Sequence, residues 1–200
     1  MIDIFAYLFM FIDHWGFYMM DNDYIMRMIG RISLPCFLLM FARGYYRTSS
    51  KEIYLKRLFL LSVASQIPYT LLTGLIQMNF IFTLTMALFI RLLLDKKKTL
   101  QGVALILFCY LSPLEYGIYG IFFALIVTEN RFDLLDKALA LILIHVLYIV
   151  QTGAYIQLYA LIVLPVLYVI YKGKIPNIKI NKYLKYGIYP GHMILLYLIK

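Results

Sequence analysis

The sequence is a succession of apolar runs of about the length of a membrane-spanning helix, and this pattern constrains the fold more than any other feature. A helix needs about 20 predominantly apolar residues to cross the hydrocarbon core of a bilayer. The chain is 64% hydrophobic and 14% charged, whereas a soluble domain has about half its residues apolar and about a quarter charged. We therefore predict an all-α, polytopic membrane bundle of about nine transmembrane helices. The runs lie near residues 3–20, 27–44, 56–74, 78–94, 99–112, 117–129, 134–151, 154–171 and 184–199.

The runs near 99–112 and 117–129 are short for a bilayer at about 1.5 Å per residue, so they are either tilted or form one re-entrant pair. No repeat or linker divides the chain, and we expect a single domain over residues 1–200. The first run lacks a basic n-region and a small-residue cleavage site, which predicts a retained helix rather than a removed signal.

Several classes of site and partner are disfavoured by the same sequence. Cys36 and Cys109 both lie in apolar runs without the spacing of metal ligands, so we expect packing residues and neither a disulfide scaffold nor a metal site. The net charge of +9 indicates orientation in a membrane protein rather than nucleic-acid binding. No basic tract with interleaved polar residues suggests a nucleic-acid groove, and we expect the bilayer to be the partner of most of the surface.

The basic residues fall on alternate loops. Three intervening loops, "TGLIQMN", "SPLEYG" and "QTGAY", carry none of them. Because basic loops are cytoplasmic in membrane proteins, the pattern predicts a cytoplasmic N-terminus and an extracytoplasmic C-terminus. Sixteen of the 19 basic residues carry this argument: Arg43, Arg47, Lys51, Lys56, Arg57, Arg91, Lys96, Lys97, Lys98, Arg131, Lys137, Lys172, Lys174, Lys179, Lys182 and Lys185.

Polar residues of the apolar runs, together with Glu115 in the connection after the fifth run, converge on the outer half of the predicted membrane. An ionisable residue inside a bilayer is costly unless it is paired or hydrated, so each is a candidate for function. Their similar depth predicts one polar cavity that opens outward. The residues are His14, Arg31, Gln66, Asn79, Thr83, Glu115 and His192.

Structural alternatives exist for some of these groups. We interpret His145, alone in "LILIHVLYIV", as a packing histidine that makes a hydrogen bond between helices. Arg31 lies close to the interface, so a snorkelling role and a functional role both stay open. Asp13 cannot orient His14, because adjacent residues of a helix point about 100° apart. We expect Asp13 to pair with Arg27 or Arg31 across a helix interface.

Six segments in order resemble the motifs of the TraX family, the membrane proteins named for the F-pilin acetylase. The resemblance covers nearly the whole chain. The segments are "FIDHWG", "RMIGRISLPCFLLMFARGYYRT", "YLKRLFLLSVASQIPYTLL", "NFIFTLTMALF", "EYGIYGIFFALIV" and "KYGIYPGHMILLYLI".

The resemblance implies an acyltransferase of the bacterial cytoplasmic membrane that moves acetyl from acetyl-CoA and acts in pilin modification for conjugation. It also maps the motif histidine onto His14, the motif arginine onto Arg31 and the C-terminal histidine onto His192.

Two positions depart from the family pattern. Gln66 stands where an acidic residue is expected, and Glu115 stands where Asp is common before Tyr-Gly. Gln66 therefore receives no acid-base role, whereas a role for Glu115 survives.

The chemistry of the residues fits that implication. Acyl transfer from a thioester needs a base for the acceptor's proton, and His14 is our candidate, with Asp13 anchoring its helix. Arg31, or a donor such as Asn79 or Thr83, would stabilise the oxyanion of the tetrahedral intermediate. We count Asn79 and Thr83 among the residues that contact the acyl donor. No motif suggests a covalent serine, a covalent cysteine or a metal mechanism.

The basic segment "ARGYYRTSSKEIYLKR" offers arginines for the phosphates of CoA, namely Arg43, Arg47 and Arg57. An equally good interpretation is that these cations only set the topology. The acceptor stays open among a pilin N-terminus, another membrane peptide, a glycan and a lipid head group. The alternative from another class is a non-enzymatic transporter or assembly factor, but the inverted repeat expected of a transporter is not evident.

Overall fold

A computed structural model describes residues 2–171 and 181–200. Within these residues every regular element is helical, which confirms the all-α prediction. A lone parallel bridge joins Met78 and Leu114. The elements are α1 (Ile2–Tyr18), α2 (Tyr24–Gly30), α3 (Ser33–Arg47), α4 (Lys51–Thr73), α5 (Phe80–Asp95), α6 (Thr99–Leu111), α7 (Gly117–Thr128), α8 (Leu134–Thr152), a 3-10 helix (Tyr155–Ile162), α9 (Val163–Tyr171) and α10 (Lys182–Ile199).

Each predicted run is helical, but two runs that we expected to be continuous are interrupted. The run near 27–44 breaks between α2 and α3, and the run near 154–171 begins as the 3-10 helix before α9. Pro35 and Pro165 both occupy the third position of the helix that follows the break. Proline has no N–H to donate to the carbonyl four residues earlier and its ring clashes there, so the helix restarts close to each proline.

The chain divides into two compact units, residues 1–40 with 130–200 and residues 41–129. The first unit holds α1, α2, the start of α3 and the elements from α8 to α10. The second unit holds the end of α3 and the helices α4 to α7. The interpretation of the chain as a single domain stays a prediction.

In the first unit, α1 and α10 run in the same direction. Near their N-terminal ends, Asp3 pairs with Lys185, and the Tyr7 hydroxyl donates to the Lys185 carbonyl at 2.9 Å. Further along both helices, His14 meets His192. Parallel directions are consistent with the predicted topology, in which these helices are the first and the ninth crossing.

Two helical stretches in the described part of the chain are long and apolar enough to cross a membrane by length and composition, Tyr24–Arg47 and Leu134–Thr152. Three shorter apolar helices, including Thr99–Leu111 and Gly117–Thr128, fall below that length. These helices are consistent with a membrane protein, and the count of nine crossings stays a prediction.

Some of the predicted basic loops are helical. Only residues 48–50 connect α3 to α4, so Arg43, Arg47 and Arg57 project from helices and not from the long loop that we expected. Arg91, counted as a loop cation, lies inside α5 and is 9% exposed. Lys172, Lys174 and Lys179 lie outside the described residues.

Candidate functional site

The first unit contains a polar site built around Asp13 and His14 of α1. Asp13 faces α2 and His14 faces α10. The two neighbours diverge because successive residues of a helix are separated by about 100°. This confirms that Asp13 does not orient His14, and it gives the adjacent residues different partners.

Asp13 bridges two arginines of the α2 region. One carboxylate oxygen accepts from Arg27 Nη1 at 2.6 Å. Both carboxylate oxygens accept from Arg31 Nη2, at 2.6 and 2.7 Å. We expected Asp13 to pair with one arginine or the other, and it pairs with both. Two guanidinium groups thus share one carboxylate.

A close approach of α1 and α2 makes the cluster possible. A methyl group on Gly30 would lie 2.3 Å from Asp13 Cβ, and one on Gly16 would lie 2.4 Å from Met26 Cβ. Such distances exclude any side chain at either position without a shift of the helices. Small residues let helix backbones approach closely inside membranes, and here they bring the Asp13 carboxylate against the end of α2.

The break after α2 determines where Arg31 lies. Arg31 is the C-cap residue of α2, and its Nε donates to the Arg27 carbonyl at 3.3 Å. Its Nη1 donates to Gln157 Oε1 at 3.4 Å. Arg31 is 7% exposed and Gln157 is 1% exposed. The snorkelling interpretation of Arg31 is therefore not supported, because the guanidinium is buried among protein partners.

Gln157 and Arg27 belong to this cluster, although sequence reasoning gave Gln157 no role. Gln157 lies in the 3-10 helix within the apolar segment "AYIQLYALI". A lone amide in such a run is a usable signal for a buried hydrogen bond. Arg27 also places its guanidinium over the Phe17 ring, 4.7 Å from the centroid, a cation–π contact that orients it.

His14 and His192 form a hydrogen-bonded pair. His14 Nδ1 lies 2.7 Å from His192 Nε2, and the rings are within 12° of parallel. His192 Nδ1 lies 3.2 Å from the carbonyl of Ile188, one turn earlier in α10. His192 is 7% exposed, whereas His14 is partly exposed.

The Ile188 carbonyl determines the protonation pattern of the neutral pair. A carbonyl oxygen only accepts hydrogen bonds, so Nδ1 of His192 is the donor. Nε2 of His192 then accepts, and Nδ1 of His14 donates to it. This tautomer leaves the lone pair of His14 Nε2 available to take a proton. The arrangement is suited to general base chemistry at His14.

The second unit brings Gln66, Asn79, Thr83 and Glu115 together. Asn79 is the N-cap of α5, and its side-chain oxygen accepts from Ile81 N at 3.0 Å. Its side-chain nitrogen donates to the Ser62 carbonyl at 2.8 Å and to Gln66 Oε1 at 3.0 Å. Asn79 is fully buried. Its amide hydrogens and its oxygen are therefore used within the protein.

Gln66 acts as an amide in a way that a carboxylate could not. Its oxygen accepts from the Asn79 backbone N–H at 3.1 Å. Its nitrogen donates to the Gln77 carbonyl at 2.8 Å and to the Thr70 hydroxyl at 3.1 Å. The first departure from the family pattern thus has a structural role, which agrees with giving Gln66 no acid-base work.

Glu115 joins the connection between α6 and α7 to the start of α5. Its Oε2 accepts from Phe80 N at 2.8 Å, a favourable position for an anion at a helix N-terminus. Its carbonyl accepts from the fully buried Thr83 hydroxyl at 2.5 Å. Tyr116 and Gly117 then both adopt positive φ, at 60° and 48°, which explains the glycine of the Glu-Tyr-Gly motif.

Asn79 and Glu115 thus cap the N-terminus of α5, and Thr83 holds the connection between α6 and α7 through the Glu115 carbonyl. The assignment of Asn79 and Thr83 to the acyl donor, and of Glu115 to catalysis, stays a prediction. The common polar cavity that would join them to the histidines and to Arg31 also stays a prediction. Arg47 and Arg57 are exposed and Arg43 is partly buried, so the surface arginines remain candidates for phosphate binding.

A second charged cluster was missed by the sequence reasoning. Arg91 of α5 pairs with Glu129 at 2.9 Å and with Asp95 at 3.0 Å. The Tyr45 hydroxyl donates to Asp95 and accepts from Lys51 Nζ at 2.9 Å. These contacts connect α3, α4 and α5 to Glu129, the residue that follows α7. Each partner has a hydrogen-bonded counterpart, which is typical of a structural network.

The residues that we interpreted as packing groups are buried. His145 has no exposed surface, and its Nδ1 lies 2.7 Å from the Leu141 carbonyl of the same helix. Cys36 and Cys109 are free and buried. The hydrogen bond between His145 and Leu141 lies within α8.

A protein-family model described as TraX protein matches residues 1–200, the whole chain. The match confirms the resemblance that the ordered motifs suggested. Comparison with the curated proteins and with the solved structures gave no match.

Proposed function

We propose, on the premise that this chain belongs to the TraX family, that it is a membrane-embedded acyltransferase. It would move acetyl from acetyl-CoA to an amine or hydroxyl of a pilin-like peptide or another envelope acceptor. The observation that carries the proposal is the hydrogen bond of 2.7 Å between His14 and His192. Together with the Ile188 carbonyl at 3.2 Å, this bond favours the tautomer in which His14 Nε2 is a base.

The reaction that fits this base is direct transfer. The acceptor nitrogen or oxygen attacks the thioester carbonyl while its proton passes to His14 Nε2. The tetrahedral intermediate then collapses, the carbon–sulfur bond breaks, and the proton on His14 returns to the CoA thiolate. His192 is a positioning residue in this scheme, because it holds the His14 ring and accepts from its Nδ1–H in both protonation states.

The Asp13 cluster supports the same scheme through its charge. Arg27 and Arg31 pack against the helix that carries His14, and their guanidinium groups favour negative charge that develops on the thioester oxygen. The donors of Arg31 contact Asp13, the Arg27 carbonyl and Gln157, so we assign Arg31 an electrostatic role. Asp13 positions both arginines.

The acyl donor would be held by residues that bind phosphate. Arg47 and Arg57 are exposed, and a guanidinium matches the geometry of phosphate oxygens. We propose Arg43, Arg47 and Arg57 for this contact, and we leave Asn79 and Thr83 out because their polar atoms are hydrogen-bonded within the protein.

The test is transfer of labelled acetyl from acetyl-CoA by the purified full-length protein, with membrane extracts as the source of acceptor. His14→Ala should lower turnover by roughly 10²- to 10⁴-fold, the usual contribution of a general base. The fold should persist, because His14 is partly exposed. His145→Gln is the matched control, and its turnover per folded molecule should equal that of the wild type. Full turnover in a stable His14→Ala protein would overturn the proposal.

A further inference from the structure

A groove of about 670 Å³ lies between α4, α5 and α6 in the second unit. One end is polar and is lined by Glu52, Lys96, Lys98 and Gln101. The remaining wall is apolar. This volume falls within the usual range for small-molecule sites.

The polar and apolar parts are ordered along the helices. Along α5 and its C-cap, the lining residues Phe89, Leu92, Leu93 and Lys96 follow the spacing of one helix face. On α6 the residues Gln101, Ala104, Leu105 and Phe108 do the same. Both rows pass from a polar residue beside the connection between the helices to a phenylalanine about 10 Å away along the axis.

The groove is open along this length. Phe89 and Phe108, at the apolar end, are 41% and 59% exposed. Lys98 and Gln101 are also exposed. A ligand with a polar head and an extended apolar tail therefore matches the shape and polarity of the groove.

The charge at the polar end of the groove favours an anionic head group. Glu52 and Lys96 form an ion pair at 2.9 Å, and the hydrogen bond from Lys96 lowers the pKa of Glu52, which keeps the carboxylate ionised. Lys98 adds a second cation, so the polar end has a formal charge of +1. A phosphate diester carries one negative charge and complements it.

We propose that this groove is a binding site for one anionic phospholipid, with its phosphate at Lys98 and Gln101 and an acyl chain along Phe89 and Phe108. The site is independent of the proposed acyl transfer. CoA is a poorer match, because its several phosphates exceed a single net positive charge and its polar body does not suit an apolar wall. Anionic head groups attract lysines at a membrane surface, where each contributes about a fivefold change in affinity.

Native mass spectrometry of the full-length protein in neutral detergent tests this. Phosphatidylglycerol is titrated against phosphatidylcholine with the same acyl chains. The wild type should bind phosphatidylglycerol about fivefold more tightly, and Lys98→Gln should remove most of this difference. Lys97→Asn is the matched control, since Lys97 is a neighbouring lysine that does not line the groove, and asparagine tolerates its positive φ of 58°.

A second variant distinguishes lipid binding in the groove from general attraction of lipids to surface charge. Ala104→Phe should fill the apolar wall and weaken binding of both lipids, with unchanged thermal stability because Ala104 is exposed. Equal affinities of the wild type for the two lipids would overturn the proposal. So would equal effects of Lys98→Gln and Lys97→Asn, or full lipid binding by Ala104→Phe. Displacement of phosphatidylglycerol by stoichiometric CoA would assign the groove to the acyl donor instead.

Discussion

His14 Nδ1 and His192 Nε2 are separated by 2.7 Å, although the two residues are 178 positions apart in the chain. The bond joins the first and last helices of the described structure, and the Ile188 carbonyl at 3.2 Å defines its donor. The pair thus connects helix packing to a specific tautomer of His14, and it can be tested separately from His14 itself.

His192→Gln should retain much more activity than His192→Leu. The glutamine oxygen can accept from His14 Nδ1–H, whereas leucine cannot and leaves the His14 tautomer undefined. We expect His192→Leu to lower kcat by less than the roughly 10²- to 10⁴-fold expected for loss of the base, with little change in KM. Steady-state kinetics and the pH profile of kcat/KM check this. Equal activity of the two variants would contradict a positioning role.

Asp13→Ala should act mainly on stability. It leaves Arg27 and Arg31 without their shared carboxylate inside the first unit, at a cost of about 3–5 kcal/mol for a buried pair. Thermal unfolding in detergent measures the effect. Asp21→Asn is the control, because Asp21 is exposed and asparagine tolerates its φ of 47°. Its effect should stay within about 0.5 kcal/mol. Similar stabilities of the two variants would show that the Asp13 cluster contributes little.

Gly30→Ala should destabilise the protein by about 1–3 kcal/mol, because the added methyl group would lie 2.3 Å from Asp13 Cβ. Gly187→Ala tests the same change where nothing lies within 4 Å of the new atom. That helical position should gain up to about 1 kcal/mol from the higher helix propensity of alanine. If Gly30→Ala and Gly187→Ala shifted the unfolding temperature in the same direction, the close approach of α1 and α2 would not explain the destabilisation by Gly30→Ala.

Gln66→Glu should cost about 1–3 kcal/mol, although it introduces the acidic type expected of the family. An ionised glutamate cannot donate to the Gln77 carbonyl, so a hydrogen bond of 2.8 Å is lost. Gln151→Glu makes the same chemical change at an exposed position and should stay within about 0.5 kcal/mol. Unfolding curves of the two variants distinguish a specific amide contact from a general effect of added charge.

Single cysteines at Lys97 and Lys200 should be labelled from opposite sides of the membrane. The basic loops predict that Lys97 is cytoplasmic and that the C-terminus is extracytoplasmic. Cys36 and Cys109 are buried, and their replacement by alanine removes background labelling. Labelling of both positions from the same side would contradict the predicted topology.

Local features of the sequence were sufficient to predict the helices and one contact of the site. Apolar runs and charged connections locate the helices, because backbone hydrogen bonds in a helix are local. The 100° step between neighbours separates Asp13 from His14, and the cost of an unpaired charge predicts the pairing of Asp13 with an arginine. Pro35 and Pro165 are also visible in the sequence, and they could have predicted the interruption of the two helical runs that contain them.

The tertiary structure decided the partners that lie far apart in the chain. His14 with His192, Arg31 with Gln157 and Phe80 with Glu115 depend on which helix faces pack together. Sequence spacing carries no information on such faces, because many pairs of polar residues have compatible chemistry and packing selects among them. For the same reason the structure gave Asn79 a capping role and gave Thr83 a hydrogen bond to the Glu115 carbonyl. Their polarity and predicted depth alone had suggested a ligand contact.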